Sequence, residues 1–161
     1  MNETSLNAKS QSGIMLLEAL IAILIFSLGI LTVVALQATS IKLTGDAKYR
    51  TNATLLANQL IGQMWVSTGD VAALKASFET GGTAYNAWLA DVTSPEGLPG
   101  VVAASAGVTS TLPTVTVDAT PGATAGQVTI TLFWRTPEMP LNNDALRHRH
   151  IVTSQIVKNS P

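Results

Sequence analysis

The sequence contains no cysteine. That excludes disulfide cross-links and thiolate-held metals, so a folded head must hold itself together by packing alone. Charge is scarce as well. Lys, Arg, Asp and Glu make up 12% of the chain, against about a quarter in ordinary soluble domains. The net charge is −1, and so weak a field favours neither nucleic acid nor anionic surfaces. No proline precedes Pro95, so nothing rigid breaks a helix in the first half of the chain. Familiar catalytic patterns are missing too. The serines form no nucleophile elbow, and the glycines near 81 and 97 lack the strand-to-helix setting and the lysine of a phosphate loop. No basic patch interleaved with aromatics supports nucleic-acid binding. Nothing repeats at a fixed period.

What the chain does have is an apolar N-terminal run. From Ala19 to Leu36 no residue is charged, and only Ser27, Gly29 and Thr32 interrupt the apolar side chains. As a helix this run spans about 27 Å, close to the ~30 Å hydrocarbon core of a bilayer. Ile14–Leu17 lengthen it past that thickness, and in lipid the backbone must be helical to pair its own amides. Hydropathy favours a retained membrane helix. Three plainer readings stand beside a specialised one: a cleaved secretory signal, whose small-residue site would be Ala38-Thr39-Ser40; a simple single-pass anchor; and a buried helix of a soluble core.

Glu18 does not suit a simple anchor. It follows Ile14-Met15-Leu16-Leu17 and precedes the uncharged run. A carboxylate in a membrane helix costs on the order of 2.5–3.5 kcal/mol at mid-bilayer and less near an end. Snorkelling toward headgroups, aided by the positive end of the helix dipole, would offset part of this. A cationic partner would offset more. Cleavage after Gly13 creates one, because it leaves a free amine on Ile14 four residues, or one helical turn, from Glu18. The same two groups can also pair between neighbouring subunits, which makes the acid a device for setting register.

The string Ser12-Gly13-Ile14-Met15-Leu16-Leu17-Glu18-Ala19-Leu20-Ile21-Ala22 resembles the processing signal of type IV pilins and pseudopilins: a short polar leader ending in Gly, then a hydrophobic residue, with Glu at the fifth mature position. Leu28-Gly29-Ile30-Leu31 and Leu36-Gln37 are similar to PilV-type minor pilins and to related pseudopilins. The likeness covers roughly the first 50 residues. Two positions depart from the usual pattern: Ile14 stands for the commoner Phe, and Met15 for Thr or an aromatic. By this resemblance a prepilin peptidase cuts Gly13–Ile14 and methylates Ile14, and Glu18 is the assembly carboxylate. Leu16, Leu17, Leu20, Ile21, Ile23, Leu24, Ile25, Phe26, Leu28, Ile30 and Leu31 form the membrane and assembly helix. Lys42, Lys48 and Arg50 follow the apolar run, while the leader has only Lys9, opposed by Glu3. This bias runs against the positive-inside trend, but so short a leader gives that trend little to act on.

Beyond the membrane run, Tyr49, Ala53, Leu56, Leu60 and Met64, flanked by Ala57 and Ile61, predict one apolar stripe on a continuing helix. Such a stripe needs a cover, and the chain's own C-terminal sheet is the economical one. Asp70 reads as an N-cap for a short helix through Val71, Leu74 and Phe78, ended by Gly81-Gly82. Tyr85–Val92 predicts further helix, and Pro95-Glu96-Gly97 and Pro99-Gly100 predict turns. Thr114–Asp118, Gln127–Arg135 and His148–Val157 read as strands, with loops at Pro121–Gly126 and Thr136–Asp144. In Gln127–Arg135, Val128, Ile130, Leu132 and Trp134 share one face. The expectation is an α+β fold: a long N-terminal stalk helix packed on a small antiparallel meander. Its parts are a leader (1–13), a transmembrane helix (14–37), an amphipathic continuation (38–67) and an α+β head (68–161).

Other candidate sites carry less. His148 and His150 would share one strand face about 7 Å apart, a spacing able to hold a metal, but only Asp144 lies near enough in sequence to add to a shell, and solvated histidines on an edge strand are the favoured reading. Trp65, Trp88 and Trp134 read as core anchors before they read as a ligand-stacking surface. Asp70, Glu79, Asp91 and Glu96 show no acid–base spacing. The resemblance implies a minor pilin, not an enzyme and without cofactor or metal. It would cross the inner membrane once, with a periplasmic C-terminal head, and then be taken into a pilus fibre. Its partners would be other minor and major pilins, the prepilin peptidase, the assembly platform and the membrane, with no nucleic acid. A pseudopilin of type II secretion shares the same signal. An exported binding domain with an ordinary signal or anchor is the alternative of another class.

Overall fold

The computed structural model describes residues 11–119, 124–140 and 147–158. Most of the expected leader therefore lies outside the described residues, as do the first half of the 121–126 loop and the end of the 136–144 loop. The chain divides into two compact units, Met1–Gly45 and Asp46–Pro161. Helix α1 (Gln11–Val66) contributes to both.

The first unit is the N-terminal part of α1. It contains no proline, and four of its hydroxyls bond back to carbonyls of their own helix. Ser27 Oγ donates to the Ile23 carbonyl at 2.7 Å and Thr32 Oγ1 to the Leu28 carbonyl at 2.9 Å. Thr39 and Thr44 make the same four-residue return bond. Each of these four hydroxyls is thereby satisfied without leaving the helix.

The second unit is an α+β head. After α1 come helices α2 (Val71–Phe78) and α3 (Thr83–Val92), then strands β1 (Thr114–Asp118), β2 (Ala125–Trp134) and β3 (His148–Val157). The strands form one antiparallel sheet in the order β1-β2-β3. Val115 pairs with Ile130 and Val117 with Val128, while Ile130 pairs with Val152 and Trp134 with His148. The period-two pattern thus brings Val115, Val117, Val128, Ile130, Leu132 and Trp134 to one buried face. The predicted stripe of α1 meets the same core. Ala53, Ala57, Leu60 and Met64 are fully buried, with Tyr49, Leu56 and Ile61 partly so. Each large apolar side chain so buried contributes roughly 1.5–3 kcal/mol.

α2 begins as expected, with the Asp70 side chain accepting from the Ala73 amide at 2.8 Å. Its end differs from expectation. The helix stops at Phe78, with Glu79 already extended, and the glycine pair instead shapes the passage into α3. Gly81 has φ +94°, and a Cβ on Gly82, the N-cap of α3, would lie 2.2 Å from the Ser77 carbonyl oxygen. Only glycine lets the chain double back this closely. α3 is locked to its neighbours by two buried polar tips. Trp88 Nε1 donates to the Leu56 carbonyl at 2.9 Å, and the Tyr85 hydroxyl donates to the Pro113 carbonyl at 2.7 Å. Burial pushes the Tyr85 phenol above its ordinary pKa.

Four details depart from the sequence reading. β2 starts at Ala125, taking in two residues expected to be loop, and ends one residue early, at Trp134. Arg135 and Thr136, expected at a strand end and in a surface loop, are buried at 1% and 9% exposure. Trp65 is not a core anchor: it is 51% exposed, because it falls off the buried stripe of α1. Lys158, which carried no expectation, is buried. Its ammonium donates to the Ser67 carbonyl, to Ser67 Oγ at 3.0 Å and to the Trp65 carbonyl at 3.4 Å. It thus supplies donors and positive charge where the last carbonyls of α1 lack intrahelical partners.

Candidate functional site

The candidate site is the N-terminal part of α1. Gly13 and Ile14 lie in its first turn and Glu18 in its second. Ile14 and Glu18 are therefore one turn apart on the same side. From Gly13 to Thr44 every residue is exposed. This includes the whole predicted assembly set, from Leu16 and Leu17 through Leu20, Ile21, Ile23, Leu24, Ile25, Phe26 and Leu28 to Ile30 and Leu31. Apolar side chains point in every direction from the axis, and such a helix is stable only where lipid or other helices surround it. α1 is the one helix among the described residues long and apolar enough to cross a membrane.

Among the described residues no hydrogen bond or ion pair engages the Glu18 carboxylate. Ser27 and Thr32 bond back to their own helix, but a carboxylate cannot, because it has no proton to donate to a carbonyl. The arrangement offers one unmatched acid on an otherwise lipid-compatible cylinder, with Gly13–Ile14 one turn before it.

The other candidates have local duties in the head. His148 and His150 share the inner face of β3, but they meet α1 instead of open solvent. His148 Nε2 is 3.9 Å from Asp46 Oδ1 and its ring stacks on Trp134 at 5.3 Å, while His150 Nε2 lies 3.4 Å from Thr54 Oγ1. No set of three metal-capable side chains occurs among the described residues. Asp70 caps α2. Glu79 pairs with Lys75 at 3.4 Å. Asp91 accepts from Gln59 Nε2 at 2.9 Å, and the Glu96 carbonyl accepts from Asn52. Asp70 and Glu79 have separate contacts, while Asp91 and Glu96 line one open groove with Asn52, Leu56, Gln59 and Ser94. The sequence reading missed the Asp46–His148 and Lys158–Ser67 contacts. Both join residues about ninety or more positions apart, and neither has a local signal.

Comparisons with protein-family models, with curated proteins and with solved structures found no match for this chain.

Proposed function

We propose that this chain is a type IV pilin-like subunit, of the PilV minor-pilin kind, which waits in the inner membrane and is built into a pilus fibre through the N-terminal part of α1. The observation that carries the reading is the lone carboxylate of Glu18 one turn inside a helix that is apolar on every side. Cutting Gly13–Ile14 supplies the missing cation as the Ile14 amine. Within one chain the pair neutralises the acid. Between neighbouring chains it sets the stagger of packed helices, because an unpaired buried charge costs several kcal/mol. The described head is α+β, with its three-stranded sheet in one core with the C-terminal part of α1. A secretion pseudopilin uses the same N-terminal chemistry and shares every step up to the choice of fibre.

The test is the N-terminus of the mature protein, read by sequencing and mass spectrometry from cells with and without an active prepilin peptidase. The expected product starts at N-methylated Ile14 in the first case and retains the leader in the second. A start at Ile41, or an intact Met1 in peptidase-competent cells, refutes the reading in favour of a cleaved export signal or a plain anchor.

A further inference from the structure

The two edges of the sheet are treated differently. β1 is only five residues long, and its outer edge is covered. Thr80 donates to the Val115 carbonyl from both its amide and its hydroxyl, at 3.1 Å each, and the Val115 amide donates to Thr80 Oγ1 at 2.8 Å. Lys75 Nζ donates to the Val117 carbonyl at 3.0 Å. β3 is ten residues long and pairs with β2 alone. Among the described residues nothing bonds to its backbone on the far side, so about half of its peptide groups face outward unpaired. Free-standing proteins blunt such edges with charged side chains, above all lysine, or with proline, bulges or shortness; Arg149 is the one exposed charged residue of β3. β3 contains no lysine and no proline, and its register with β2 is unbroken from His148 to Val157.

Side-chain burial is also unfinished at this edge. On the inner face, Val128, Ile130, Leu132 and Trp134 of β2 are buried, while their neighbours Ser154, Val152, His150 and His148 on β3 are only half-buried. On the outer face, Ile151 and Val157 remain 49% and 48% exposed. The strand is basic at its start, with Arg147, His148, Arg149 and His150 in succession. Arg147 is engaged over the Phe133 ring, 4.5 Å from its centroid, while Arg149 projects to solvent.

We propose that the free edge of β3 is an acceptor for an extended acidic segment of a partner protein, which adds a fourth strand to the sheet. Backbone pairing would supply the affinity, and alternate side chains would select the sequence. An acidic residue opposite Arg149 and apolar residues opposite Ile151 and Val157 complete the outer face. The segment need be no longer than β3, about 33 Å when extended. A second copy of this edge does not fit the same description, because β3 contains no acid to set against Arg149. The site lies wholly within the head and is independent of the membrane and pilus reading.

The experiment uses the full-length protein in detergent micelles and a labelled, end-blocked nine-residue glutamate–valine peptide, with glutamate at the position facing Arg149, valine at those facing Ile151 and Val157, and threonine elsewhere; a lysine–valine peptide replaces the glutamate by lysine. Fluorescence anisotropy should show saturable binding, and amide hydrogen exchange should slow within His148–Val157. Binding should weaken at least tenfold for a lysine–valine peptide and for the Arg149→Glu protein. It should also weaken at least tenfold for the glutamate–valine peptide N-methylated at every residue, which keeps the charge and loses the donors. Three results overturn the proposal: no saturable binding at millimolar peptide, equal binding of the N-methylated peptide, or slowed exchange confined to other parts of the head.

Discussion

Replacing Leu60 by alanine tests whether the C-terminal part of α1 belongs to the head or merely precedes it. Leu60 is fully buried on the stripe with Ala53, Ala57 and Met64, in one cluster with the inner face of the sheet. The substitution deletes three carbons, worth roughly 0.8 kcal/mol each in transfer, or about 2.4 kcal/mol. The cavity left behind adds to this, and buried Leu→Ala changes as a class cost about 2–5 kcal/mol. Better helix propensity returns only a few tenths of a kcal/mol. The expected loss is therefore about 3 kcal/mol, a large part of the roughly 5–15 kcal/mol that holds a domain together. For a head of this size the melting temperature should fall by roughly 12 °C, at about 4 °C per kcal/mol. Leu55→Ala is the control: five residues earlier on the same helix and 61% exposed, it should change stability by less than about 0.5 kcal/mol. Near-ultraviolet circular dichroism of the detergent-solubilised protein follows the unfolding through Trp88 and Trp134, both buried in the head. Equal shifts for the two variants, or a loss below about 1 kcal/mol for Leu60→Ala, would show that the helix does not share the core.

Two further outcomes follow from the same contacts. Glu18→Ala should insert in the membrane at least as well as the parent, since it removes a charge costing up to ~3 kcal/mol in lipid, yet it should fail to be incorporated into fibres; normal incorporation, measured by immunoblot of sheared pili, would remove the role assigned to the acid. Tyr85 bears on alkaline unfolding. Its folded pKa is raised by burial, so its contribution is fully present below the unfolded phenol value near 10 and is lost as pH rises through the higher folded value. Tyr85→Phe should flatten the loss of stability above about pH 10, and an unchanged pH profile would count against the buried hydroxyl.

The local patterns were legible because each is written in adjacent residues. A period of two marked Val115 and Val117, and Val128 through Trp134, as inward-facing. A period of 3.6 marked Ala53, Ala57, Leu60 and Met64 on α1. Asp70 announced its cap three residues ahead. The apolar run and the odd placement of Glu18 one turn after Gly13–Ile14 also needed no fold to be noticed. Hydropathy and spacing are properties of the chain itself.

Only the tertiary structure decided what those faces meet and which polar groups the fold must satisfy. Lys158 becomes a buried partner of Ser67 because β3 ends where α1 ends. His148 faces Asp46 instead of solvent because β3 lies against the helix. Trp65 is left exposed by its angular position on α1, and Gly82 is required by the approach of the Ser77 carbonyl. The same holds for the sheet edges. Sequence alone made three strands, but only their order left β3 with a single neighbouring strand among the described residues while Thr80 and Lys75 closed β1. Periodicity encodes which side of an element is apolar. Contacts between distant residues depend on chain closure in three dimensions, and no short window of sequence records that.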